Sequence, residues 1–190
     1  MPNIAIISSS IRPERKSHRV ALYLKKYLKE NNNSKTDILD LKKLNFPIFD
    51  TILESQINPT SSLLMFAEKI KSSDGIIIVT PEYNGSYPAS LKNAIDVLYQ
   101  EWNNKPIAIV TVSSGPFGGS QALLALQFTL WKMKAWTIPA FFSVPDVEKA
   151  YDEKGNPTDP VATNELAAAF IKELMRCVEN NFEKSENAVL

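Results

Sequence analysis

Three of the chain's four arginines, Arg12, Arg15 and Arg19, fall within eight residues of SSSIRPERKSHRV (residues 8–20), directly after the first apolar run. Apart from Arg176, the remaining cationic side chains are 17 lysines. A guanidinium grips carboxylate or phosphate with two parallel hydrogen bonds, where an ammonium acts as a point charge. Ser9, Ser10 and Ser17 add hydroxyl donors, and the segment runs into a helical pattern whose first free N–H groups favour negative charge. The segment holds no glycine, so it lacks the close backbone approach that a dinucleotide pyrophosphate requires. Neither G-x-G-x-x-G nor G-x-x-x-x-G-K-[ST] occurs anywhere in the chain. Hydroxyls plus arginine suit a terminal monophosphate held end-on. The plainer alternative is that Ser17 caps the helix and the arginines are solvated.

Two further loops carry unusual chemistry. In PEYNGSYP (residues 81–88) the Asn84-Gly85 pair signals a turn, and Pro88 suits a helix start. Turn punctuation leaves Glu82, Tyr83 and Tyr87 unexplained; an aromatic and an amide beside exposed N–H groups suit a flat heteroaromatic ligand. In SSGPFGGS (residues 113–120) the plain reading is a strand-to-helix turn capped by Ser120. Yet Gly85, Gly115, Gly118 and Gly119, four of the chain's six glycines, fall in these two loops, and glycine lets backbone approach a ligand closely.

The elements between the loops explain how they would meet. Apolar, β-branched-rich runs occur at 3–8, 35–41, 74–80, 105–113 and 136–144. IAII, GIIIVT and IAIVTV are continuous rather than alternating, as in strands buried on both faces. Helical spacing links Val20, Ala21, Leu24, Tyr27 and Leu28, then Leu91, Ala94, Ile95 and Leu98, and, in a last helix over about 160–182, Leu166, Phe170 and Leu174. This alternation reads as an α/β fold: a doubly wound sheet of five parallel strands, order 2-1-3-4-5, with helices on both faces. A ligand in such a sheet sits beyond the carboxyl ends of the strands, at the switch between strands 1 and 3. All three loops follow strands 1, 3 and 4.

Composition narrows the class. The 190 residues suit one domain, expected over 1–182, with 183–190 as a frayed tail. Twenty-one basic against 21 acidic residues argue against nucleic acid as partner. The single cysteine, Cys177, fits a reducing, cytoplasmic setting. No leader is expected before NIAIIS, and no apolar run approaches the roughly 20 residues of a membrane span. Cys177 reads as a small core residue, and His18, the only histidine, as a polar or phosphate-edge group.

Ser10-Ile11-Arg12, PEYNGSYPASLKNAIDVL and SSGPFGG together resemble the NADPH-dependent FMN reductase family of flavodoxin-like folds, which includes quinone, azo-dye and chromate reductases. LNFPIFD and EWNNKPIAIV extend the likeness to nearly the whole chain. Ser9 stands where the family usually has glycine, and the later spacing of the first loop differs. The resemblance implies FMN as cofactor and NADPH or NADH as donor. It assigns the phosphate to Ser10 and Arg12, with Ser17 as a further candidate. Pro81, Glu82, Tyr83, Asn84 and Gly85 would run beside the ring and ribityl chain; Ser113, Ser114 and Gly115, with Gly118 and Gly119, would border the pyrimidine end. Amides of that third loop would stabilise the charge of reduced flavin. The implied chemistry is ping-pong hydride transfer to a small-molecule electron acceptor, without a catalytic side chain or metal. A flavodoxin-type electron carrier is the alternative, as is a non-enzymatic FMN-binding protein; the former is usually strongly acidic, and this chain is neutral.

QALLALQFTLW (residues 121–131) is apolar nearly all round. A helix covering a sheet hides one face only, so this one is expected to pair two copies, with Trp102 and Trp131 nearby; the family forms dimers and tetramers.

Overall fold

A computed structural model describes residues 1–32 and 34–187. In chain order its elements are β1 (Asn3–Ser8), α1 (Ser17–Asn31), β2 (Lys35–Asp40), α2 (Leu41–Leu44), α3 (Ser61–Lys71), β3 (Gly75–Pro81), α4 (Ala89–Asp96), β4 (Pro106–Val112), α5 (Ser120–Lys132), β5 (Trp136–Val144), α6 (Val147–Ala150) and α7 (Pro160–Asn187). The five strands form one sheet of order β2-β1-β3-β4-β5, and every pairing is parallel. The three continuous apolar runs occupy its centre as β1, β3 and β4. The tail expected over 183–190 ends outside the described residues, while the backbone of 183–187 continues α7.

Strand periodicity divides the core in two. Ala5, Ile7, Ile76, Ile78, Ile107 and Ile109 face one side and pack with side chains of α3, α4 and α5. Ile4, Ile6, Ile77, Val79, Ala108 and Val110 face the other, against α1 and α7. Each fully buried aliphatic side chain contributes about 1.5–3 kcal/mol, so neither helix layer is dispensable. On α7 the buried stripe is Ala167, Phe170, Ile171, Leu174 and Val178, whereas Leu166 is 63% exposed. The stripe therefore begins one residue later than the sequence spacing indicates. Trp102 is wholly buried in the first core, where Nε1 donates to the Ile95 carbonyl. It is thus unavailable to the intermolecular surface expected of it.

The last strand is irregular. Thr137 pairs with Ile107 but Phe141 with Ile109, so four steps of β5 oppose two of β4. Pro139 lies in this bulge, on an edge strand where its missing N–H breaks no ladder.

Candidate functional site

The first, second and third loops converge at the carboxyl edge of the sheet around a cavity of about 460 Å³. Ser10, Arg12, Arg15 and Ser17 line it from the first loop, Pro81, Glu82 and Tyr83 from the second, and Ser113, Ser114, Gly115 and Gly119 from the third. Asn84, Gly85 and Gly118 do not line it. Tyr83 and Ser86 exchange backbone hydrogen bonds around Asn84-Gly85, both at positive φ (51° and 75°), so that pair forms the tight turn that presents Tyr83. Gly118, at φ 61°, accepts a hydrogen bond from Ser143 Oγ at its carbonyl.

The three loop arginines have different partners. Arg15 forms a bidentate pair with Asp40, at 2.6 Å for Nη2 to Oδ2, and donates to the Ser10 carbonyl at 3.0 Å. Asp40 stands at the end of β2, in register with Ser8 of β1, which brings it beneath the loop. Arg19 donates to the Tyr151 carbonyl at 2.8 Å and lies 3.8 Å from Glu153. Arg12 stands over the Tyr83 ring, 5.7 Å from its centroid, at the cavity wall.

Three helix starts border the cavity, and they differ; that of α6 already donates its Val147 amide to the Ser113 carbonyl. Ser17 does not cap α1: Lys16 holds the cap position without a side-chain bond, and the first turn has no acidic residue. Ser17 is the first helical residue, and its Oγ is buried without a hydrogen-bond partner among the described residues. A buried hydroxyl left unmet costs about 1–3 kcal/mol, which an anion at this place would offset. The start of α5 is already engaged. Glu82 accepts from the amides of Gln121 and Ala122 at 3.0 and 3.2 Å, while Gly119, at φ 81°, holds the cap position expected of Ser120. An added Cβ at Gly119 would lie 3.1 Å from Thr111 Cβ and 3.6 Å from Glu82 Cβ. The start of α1 is therefore left open, while the α5 amides expected to meet charge from the third loop are shared with a carboxylate.

His18 Nδ1 lies 2.9 Å from Ser8 Oγ. Burial, followed by the nearby Arg15 charge, pulls its imidazole below the ordinary range. Cys177 is half-buried against the α7 core, and burial pushes its thiol up.

The model of the NADPH-dependent FMN reductase family matches residues 2–149. The chain belongs to that family. An oxidoreductase that pairs NAD(P)H with FMN follows from this membership. The NAD(P)H-dependent FMN reductase LOT6 of Saccharomyces cerevisiae is 33% identical over 144 residues, covering 69% of this chain and 74% of that protein. A quinone reductase of Pseudomonas putida is 30% identical over 186 residues, covering 94% and 96%. In fold the chain is similar to FerB, a flavoenzyme NAD(P)H:(acceptor) oxidoreductase from Paracoccus denitrificans, with a TM-score of 0.75 at 24% identity over 93% of this chain and 98% of that one.

The residues present fit FMN. An uncapped helix start, with an unmet hydroxyl and one arginine free of a carboxylate partner among the described residues, matches a monophosphate. The cavity volume lies within the range of small-ligand sites. Val147 and Glu148 also line it, and Lys16 lies 3.8 Å from Glu148 across its rim. No motif marks these two residues; the one signal was that strand 5 also ends at this edge.

Proposed function

We propose that the chain is a two-electron reductase that holds FMN in this cavity and moves hydride from NADPH or NADH to a small acceptor such as a quinone, a flavin or an azo compound. The observation that carries the reading is that Ser10, Arg12 and Ser17, at the uncapped start of α1, line the same cavity as Tyr83 and the third loop. Bound there, FMN would supply the hydride chemistry, the protein supplying position and electrostatics. Arg12, the hydroxyls of Ser10 and Ser17 and the first amides of α1 hold the phosphate. Pro81, Glu82 and Tyr83 form one wall for the ring, and Ser113, Ser114, Gly115 and Gly119 the other. Asn84, Gly85 and Gly118 set the turns that carry these walls. No side chain acts as acid or base. NADPH is the proposed donor from the family's description, and a quinone acceptor is supported by the Pseudomonas putida relative.

A second copy of the chain, in a homodimer or homotetramer, covers the outer face of α5. Leu124, Phe128 and Trp131 recur there at helical spacing and are 68%, 62% and 67% exposed. The cytoplasm, where a lone thiol stays reduced, is the proposed location.

The decisive experiment is the visible spectrum of the purified protein, followed by anaerobic addition of NADPH. The reading expects a flavin band, present as purified or after adding FMN, that bleaches on reduction. A protein that takes up no FMN would remove it.

A further inference from the structure

Tyr83 reaches from the second loop to the first. Its phenolic oxygen lies 2.8 Å from Ser10 Oγ, and the Arg12 guanidinium stands over its ring. A tyrosine that served only as a wall for the isoalloxazine would need neither contact, yet Tyr83 makes both with the two residues best placed to hold a phosphate. We infer that Tyr83 is the positioning residue of the phosphate site, fixing the Ser10 hydroxyl and the Arg12 guanidinium for a phosphate monoester. The inference rests on the flavin reading above.

The proton count gives the bond its direction. Each hydroxyl has one proton to donate. When Ser10 donates to a phosphate oxygen, its bond with Tyr83 must run the other way, with the phenol donating to Ser10 Oγ. That donation polarises the serine O–H and strengthens its bond to the anion. Ser10 is almost fully buried, and Arg15, locked by Asp40, donates to its carbonyl from behind. Its backbone is thereby fixed, and Tyr83 determines where its proton points. The same ring offers the solvent-exposed Arg12 a π face at the cavity wall, which favours the guanidinium there over other orientations.

The test compares two ligands that differ only by the phosphate. FMN and riboflavin are titrated, by quenching of flavin fluorescence, into the flavin-stripped full chain as wild type, Tyr83→Phe, Ser10→Ala and the double variant. Tyr83→Phe keeps the ring beneath Arg12 and removes only the hydroxyl; its melting temperature without flavin reports whether the fold survives. The expected result is a rise of about tenfold in Kd for FMN, with riboflavin changed less than about twofold. In the Ser10→Ala background the second substitution should weaken FMN no further, because the hydroxyl it acts through is gone. Equal weakening of both ligands would overturn the inference and make Tyr83 a ring-side residue. So would unchanged FMN affinity, or full additivity with Ser10→Ala. If wild type takes up neither flavin, the inference falls with the flavin reading itself; if wild type binds FMN and Tyr83→Phe shows no split, the inference alone falls.

Discussion

Arg12, Arg15 and Arg19 carry the same charge within eight residues and end in three different environments. Arg15 and Asp40 form a nearly buried pair beneath the first loop, with side chains 10% and 6% exposed. Burial, the largest single influence, pushes the Asp40 carboxyl up, but the Arg15 bond and charge together outweigh it and hold the group below its ordinary range. A depressed carboxyl contributes stability above its unfolded value of 3.8 and loses it as pH falls through the folded one. His18, also depressed, follows the same sign from its ordinary 6.5 downward, so stability should decline in two acid steps. Replacing Asp40 by alanine leaves Arg15 buried without its partner. We expect a loss of about 3 kcal/mol at pH 7 and a flattened lower step, measured as urea midpoints across pH. A midpoint unchanged at pH 7 would show that Arg15 finds another partner. From sequence alone Arg12 and Arg15 were both anion donors, and only the family resemblance singled out Arg12. What separates them is tertiary, since Asp40 is 25 positions from Arg15 and reaches it only through the β1–β2 register.

Among the elements, the sheet was the most legible. Continuous apolar runs marked β1, β3 and β4, and loop chemistry fell where a switch-point sheet puts it. The α7 stripe was displaced by one residue because Leu166 fits the same spacing as its buried neighbours, and only packing distinguishes them. The site contribution of α6 was illegible because Val147 and Glu148 carry no signature of their own. Glu82 was read as a ring-side residue, yet its carboxylate binds the amides that begin α5, a contact no local pattern encodes. The turn after α6 shows how closely these elements fit. Gly155, at φ 79°, sits against α1 so tightly that an added Cβ would lie 2.6 Å from the Arg19 carbonyl oxygen. Gly155→Ala combines a left-handed alanine with a backbone clash. It should cost at least about 2 kcal/mol in chemical denaturation, whereas a loss below about 0.5 kcal/mol would mean that the turn moves freely off the helix.

At the scale of the whole molecule, α5 faces the sheet with Ala122, Leu126 and Leu130 and solvent with Leu124, Phe128 and Trp131. The Phe128 and Trp131 rings lie 5.9 Å apart, a preformed apolar ridge. The proposed assembly predicts that wild type scatters light as a dimer or larger at low micromolar concentration, and that Phe128→Asp with Trp131→Ser yields monomers that keep the fold by circular dichroism. A monomeric wild type would refute it. Strand exchange offers no competing route to association. A chain adding to β5 would meet a ladder interrupted by the bulge at Pro139, which has no N–H to give. One adding to β2 would face Lys35 and Asp37 alternating along its rim, the latter bonded to Lys69. Both borders of the sheet thus resist templating, so at high local concentration, as during synthesis on crowded ribosomes, the proposed association would run through helices rather than grow into fibres.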